Sequence, residues 1–318
     1  MVVTDGSHPR AGADYPGSWR QFLAWFPDEA ACIAYLEGLR WPEGFSCPAC
    51  GHPDAWETAR GTRMCTACGR QTAVSAGTIF DKTRTPLTTW FAAAWYVTNQ
   101  KHGASALGLK RVLGLGSYQT AWTMLHKLRR GMVRPDRDLL GGDVEVDETY
   151  VGGEEHQVRG RETRTKSIVV IAVEVHSPKG FGRVRMRRAP DASGASLVPF
   201  VCDVVEPGSI VRTDGWGGYN SLPEHGYTRK KTVISSSGDP AHIAMPAVHR
   251  VASLLKRRLL GTHQGSVRPE HLDAYLDEFT FRFNRRTSRQ RGLLFHRLME
   301  QAVATDPAPY RAIKGGRP

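Results

Sequence analysis

No run of eighteen apolar residues occurs in this 318-residue chain, so no membrane-spanning helix is expected. The stretch from Met1 to Ser18 lacks the apolar core of a secretory leader. It is rich in glycine, proline and aspartate, so residues 1–18 are expected to form a disordered lead-in. Cysteine is scarce, with 6 in the whole chain. Without a secretion signal, those few argue against a disulfide frame and for metal ligands or free thiols in a reducing compartment, most simply a bacterial-type cytoplasm. Acidic residues are in deficit, 31 Asp and Glu against 43 Lys and Arg, a net charge of +12. That balance suits a polyanionic partner, nucleic acid being the commonest, although a merely soluble basic protein has the same balance. There is no internal repeat and no long low-complexity tract.

Residues 19–80 are expected to hold a helix and a metal-binding ribbon. Asp28 can cap a helix carrying Ala31, Cys32, Tyr35, Leu36 and Leu39 at helical spacing. Two cysteine pairs follow, Cys47-Pro48-Ala49-Cys50-Gly51 and Cys65-Thr66-Ala67-Cys68-Gly69, with fourteen residues between them. Each suits a tight turn, so Cys47, Cys50, Cys65 and Cys68 can reach one tetrahedral Zn2+. Four thiolates leave no open position, so this zinc should hold the fold and do no chemistry. Cys32 and Cys202 sit alone in apolar helical patterns and read as core.

Residues 84–135 read as helical, with Trp90, Phe91, Ala94, Trp95 and Val97 on one apolar face. A short helix over residues 104–113, the turn Gly114-Leu115-Gly116 and a second helix over residues 117–130, capped by Ser117, complete the segment. This is the outline of a helix-turn-helix, which would turn Tyr118, Gln119, Thr123, His126 and Lys127 toward a DNA groove; an αα-hairpin in a bundle shares it.

Residues 141–305 are expected to form one α/β domain, with residues 306–318 as a tail. Val144-Glu145-Val146-Asp147 and Ile210-Val211-Arg212-Thr213-Asp214 are strand-like runs that each end on an aspartate. Val144 and Val146 point one way and Asp143, Glu145 and Asp147 the other. A basic loop, Arg159 to Lys166, precedes Ser167 to Val175, a continuous apolar run and so a buried strand. Strands over residues 183–188 and 228–234 and a helix over residues 193–205 complete a mixed sheet. Pro246-Ala247-Val248-His249 opens a late helix after the flexible connection Ser235 to Pro240. Lys256 lies seven residues beyond His249, close to two helical turns. Strand ends and a helix start can bring Asp147, Asp214 and His249 together as an open divalent-metal site.

Several stretches together resemble one family. They are Leu39-Arg40-Trp41-Pro42-Glu43-Gly44-Phe45, Val146-Asp147-Glu148-Thr149-Tyr150-Val151-Gly152-Gly153, Thr213-Asp214-Gly215-Trp216, Leu255-Lys256-Arg257, and the run from Leu276 to Arg286 that ends Phe283-Asn284-Arg285-Arg286. In these the chain is similar to bacterial insertion-sequence transposases that join an N-terminal zinc ribbon to an ISXO-type DDE domain. The resemblance implies a ribonuclease H-like α/β fold for the catalytic domain, preceded by the ribbon and the helical segment. It implies a DNA transposase, a polynucleotidyl transferase working with two ions of Mg2+ or Mn2+. Asp147 and Asp214 match the family's two aspartates. His249 falls where the wider superfamily has glutamate, and an imidazole there favours manganese comparatively. Lys256 matches the basic residue that contacts the element end.

The implied partners are double-stranded DNA, as terminal inverted repeats and target, and further copies of the chain assembled on it. The implied place is the nucleoid. Arg257, Arg285 and Arg286 are candidate phosphate contacts beside Gln119, Thr123 and Lys127, and Trp216 can stack on a base or pack. Glu145 is expected in solvent or in a surface pair, Glu148 in a structural role, and Asp239 or Glu224 as the fallback third ligand. Two other functions stay open: a DNA-binding regulator without chemistry, and a nuclease without joining activity.

Overall fold

The computed structural model describes residues 8–100, 103–134, 136–152, 165–176, 178, 180–232, 244–265 and 267–315. By internal contacts the chain divides into two compact units, Met1–Arg134 with Thr287–Pro318, and Pro135–Arg286.

The first unit opens with α1 (Trp19–Trp25) and α2 (Glu29–Arg40). Asp28 caps α2 by accepting from the Ala31 amide at 2.9 Å, as the spacing predicts. β1 (Ala55–Glu57), β2 (Arg63–Cys65) and β3 (Gln71–Thr72) make a small antiparallel sheet. α3 (Leu87–Asn99) starts after Pro86, which offers no side-chain cap. The Glu29 carboxylate serves instead, accepting from the Leu87 amide at 2.8 and 2.9 Å. α4 (Ala106–Val112) and α5 (Tyr118–Arg130) follow, joined through Gly114 at φ +62°. Ser117 caps α5 by accepting from the Gln119 amide, so the predicted helix, glycine turn and capped helix are present, an arrangement that an αα-hairpin shares.

The second unit is built on one five-stranded sheet. β4 (Asp143–Val151), β5 (Ser167–Val175) and β6 (Phe181–Ala189) run antiparallel in succession. α6 (Gly194–Val204) then leads to β7 (Ile210–Thr213) and β8 (Thr228–Lys231), both added parallel to β4. The spatial order is β6-β5-β4-β7-β8, the mixed sheet expected of this fold class. α7 (Pro246–His263) and α8 (Pro269–Phe283) close the unit. Strand alternation sorts the core into two layers. Val144, Val146, Val170 and Val211 pack on Leu197 and Val201 of α6. Val169, Ile171 and Val173 pack on Val248, Val251 and Leu255 of α7 and on Leu276 and Phe279 of α8. β5, buried on both faces, is the unbroken apolar run of the sequence.

The chain then returns to the first unit with α9 (Arg291–Ala304) and α10 (Tyr310–Lys314). Three expected boundaries are corrected here. The α/β unit ends at Arg286 and not at residue 305, because α9 carries the fully buried Phe295 into the aromatic core of the first unit. Its ring lies 5.6 to 5.8 Å from Phe22, Phe26, Phe91 and Trp95. Within the expected lead-in, Tyr15 is buried beside His296 at 5.7 Å between ring centres. The expected tail folds as α10, whose Tyr310 meets Trp122 of α5 at 6.0 Å while Ala308 and Ile313 are buried. Each partner lies far away in sequence, beyond the reach of local pattern. No helix among the described residues is long and apolar enough to cross a membrane.

Candidate active site

The four predicted cysteines converge. Cys47 and Cys68 approach to 3.6 Å between sulfurs, as do Cys50 and Cys65. All four sulfurs lie within 4.8 Å of one another. Zinc–sulfur bonds of about 2.3 Å at tetrahedral angles place sulfurs roughly 3.8 Å apart, so the cluster fits the ion. Both turns are built alike. The Gly51 amide donates to the Cys47 carbonyl at 2.8 Å, and the Gly69 amide to the Cys65 carbonyl at 3.0 Å. Gly51 and Gly69 adopt φ of +74° and +71°, which explains glycine after each second cysteine. The Ala49 amide, pointing at Cys47, helps bring that thiol down to about 6.

Of the predicted acidic centre, Asp147 and His249 meet on the α7 face of the second sheet. Asp147 is not at a strand end: β4 continues through Glu148-Thr149-Tyr150-Val151, paired with β5 as far as Ser167. The β-branched and aromatic residues after Asp147 extend the strand. Asp147 pairs with Ile171, whose side chain belongs to the α7 layer, so its carboxylate faces α7. There the His249 Nε2 lies 3.8 Å from Asp147 Oδ2.

Asp214 follows the last residue of β7. The β4–β7 register ends with Glu145 opposite Arg212, so Asp214 lies two residues past the last paired position of β7. The Asp214 Oδ1 accepts from the Trp216 amide at 2.9 Å, closing an Asx-turn. Among the described residues, the cysteines are the one group of three or more His, Cys, Asp or Glu ligand atoms that all lie within 4.8 Å. The structure therefore joins Asp147 to His249 and holds Asp214 one strand away, turned onto its own loop. Asp143, also on this face, is engaged by Arg212 at 2.7 Å.

Glu145 corrects an expectation. It is 1% exposed, and its Oε2 accepts from the Val248 amide at 2.9 Å. α7 starts at Pro246 with no side-chain cap of its own, so Glu145 supplies one immediately before His249. Burial raises the Glu145 carboxyl above its ordinary value. Sequence alone could not find this contact, since 103 positions separate its ends. Glu148 is structural as expected, its Oε2 accepting from the buried Tyr219 hydroxyl at 2.9 Å.

Lys256 is exposed, within electrostatic range of Asp147. Desolvation, then Lys166, lowers its pKa. Arg257 is exposed, but Arg258 is buried against Glu278 at 2.7 Å. Arg229 was not singled out from the sequence. Its guanidinium donates to the Asp214 and Trp216 carbonyls at 3.1 and 2.9 Å and so holds the Asp214 loop. The Trp216 indole donates to the Ala192 carbonyl at 2.6 Å while its ring stays 38% exposed.

The run Asn284-Arg285-Arg286 has a structural use. The Asn284 amide pairs with both the amide and the carbonyl of Val184, at 2.7 and 3.1 Å, on edge strand β6. Arg286 donates to the Phe181 and Gly182 carbonyls, and Arg285 lies over the Phe281 ring at 4.1 Å. Of the fallback ligands, Glu224 is exposed on a short turn, and Asp239 lies outside the described residues with the Ser235 to Pro240 connection. The basic loop is described only at Thr165 and Lys166.

On α5, Tyr118 and Gln119 are exposed and Thr123 and Lys127 half-buried along one stripe. His126 does not join them. It is 4% exposed and packs on Trp122 at 4.1 Å.

Two family models match this chain. Residues 139–284 match the ISXO2-like transposase domain, and residues 27–71 match the transposase zinc-ribbon domain. The fold, the cysteine cluster and these matches define the class, a zinc-ribbon protein with a DDE-type transposase domain. The two matched domains are those of IS1595-type insertion-sequence transposases. It is 27% identical over 276 residues to an uncharacterized protein in the transposable element ISH50 of Halobacterium salinarum, covering 81% of this chain and 91% of that one.

Proposed function

We propose that this protein is a DNA transposase that cuts the ends of an insertion sequence and joins them to target DNA with divalent metal. The observation that carries this is Asp147 in mid-strand, 3.8 Å from His249, with Asp214 directly after the last residue of the neighbouring parallel strand. Ligands about 2.1 Å from one ion lie roughly 3 to 4.2 Å apart, so Asp147 and His249 suit a shared ion. Bound Mg2+ or Mn2+ would activate the attacking oxygen and stabilise charge on both oxygens of an in-line displacement at phosphorus. Asp147 and His249 hold their side of the site, and Glu145 keeps α7 in place. Asp214 completes the set by releasing the Trp216 amide. Lys256, two turns along α7, contacts a phosphate near the cut. No serine or tyrosine nucleophile is required. The ribbon and α5 bind the terminal repeats, and copies of the chain pair the two ends on nucleoid DNA.

The test is an end-joining assay with DNA carrying the inverted repeats that flank the gene, first in magnesium and then in manganese. Asp147→Ala and Asp214→Ala should abolish joining while duplex binding survives; normal joining by either variant contradicts the proposal. The Asp214 carboxylate bonded to its own loop favours one second reading, a DNA-binding regulator without chemistry. Binding with neither cutting nor joining in either metal would select it, and cutting without joining would select a nuclease.

A further inference from the structure

Two clefts mark the surface of the first unit, and they share a wall. One, of about 410 Å³, is lined by Trp90 and by the α5 stripe of Gln119, Thr123 and Lys127. The other, of about 680 Å³, is lined by Arg60 in the β1–β2 turn of the ribbon, by Ala73, Val74 and Ser75, and by Arg84. Thr83 and Thr85 line both. The loop before α3 is therefore the ridge between the ribbon and the helix-turn-helix.

That loop is fixed and cationic. The Thr83 hydroxyl accepts from the Trp90 indole at 2.9 Å and from the Thr85 amide at 3.1 Å. Lys82 adopts φ +53°, a left-handed conformation that non-glycine residues rarely take and that concentrates at functional sites. Lys82 and Arg84 are both exposed. Nearby carboxylates are engaged with backbone amides: Asp28 with Ala31, Glu29 with Leu87, and Asp81 with Gly77. The ridge thus presents two cations between Arg60 on one side and Lys127 on the other.

We infer that the Lys82–Arg84 loop is a DNA-backbone contact that makes the ribbon and α5 grip one continuous stretch of duplex. Its ligand is the sugar–phosphate chain, read by charge and not by base. This rests on the proposed DNA-binding function, and the two can fail separately.

The experiment measures binding of the full, zinc-loaded chain to a fluorescein-labelled duplex across a salt series. Each lost phosphate contact reduces the slope of log affinity against log salt by about 0.9. Arg84→Ala should reduce the slope by that amount, Lys82→Ala should reduce it similarly, and Arg84→Lys should restore it. The weakening should be equal for end-sequence and scrambled duplexes. Arg20→Ala, on exposed α1, should leave the slope unchanged. Zinc content and circular dichroism confirm that each variant folds. Unchanged slopes in folded Lys82→Ala and Arg84→Ala overturn the inference. Failure of the unaltered chain to bind any duplex overturns the wider DNA-binding reading instead.

Discussion

The cysteine cluster and the acidic centre are assembled by opposite means. Each cysteine pair lies inside one turn, closed by a glycine at positive φ, and the four sulfurs already hold the spacing of a zinc shell. The acidic centre draws Asp147 from mid-strand, Asp214 from a loop beyond the neighbouring strand, and His249 from a helix 102 positions after Asp147. Only two of its three groups meet in the structure. The difference is physical: a closed structural shell forms with the fold, whereas the proposed reactive centre would keep coordination positions open.

Breaking the local site should have the largest effect. Cys65→Ser removes one thiolate from a shell whose metal binding contributes on the order of 10 kcal/mol to small zinc modules. Native mass spectrometry should show zinc lost and the ribbon unfolded, and retained zinc would refute its structural role. Gly292→Ala tests whether the C-terminal segment belongs with the ribbon unit. A methyl there would lie 1.8 Å from the Pro16 carbonyl oxygen. The expected loss is about 1–3 kcal/mol in chemical denaturation, with end-joining chemistry spared once the protein is folded.

Glu145→Ala sharpens the long-range side. It leaves the Val248 amide without its acceptor and should cost about 1–3 kcal/mol while loosening His249. The smallest effect belongs to Glu145→Gln. The native carboxyl is raised above 4.5 by burial. Its proton therefore stabilises the fold fully below the unfolded value, and that contribution fades as pH climbs through the raised native value. Stability of the natural chain relative to Glu145→Gln should accordingly fall with rising pH from about 4.5 upward, read by denaturant titration. A flat difference would show that the carboxyl titrates normally.

Legibility in the sequence followed the same division. The cysteine turns, the Asp28 and Ser117 caps, and the buried run of β5 were readable because each is settled within a few residues. The acidic residues were visible as types, but not the strand that carries Asp147 onward nor the cap that Glu145 gives α7. Tyr15, Ala308 and Ile313 looked like parts of loose ends because the surfaces that bury them are remote in sequence. Asn284 and Arg286 looked like a basic cluster, yet both bond backbone groups of an edge strand that no local pattern connects to them.

The central claim is that Asp147 and His249 share one divalent ion. Manganese titration of the zinc-loaded full chain, followed by electron paramagnetic resonance of free and bound Mn2+, tests it without relying on catalysis. Tight binding in the natural chain that is lost in both Asp147→Ala and His249→Ala is the predicted result. Unchanged manganese uptake by folded Asp147→Ala would contradict it.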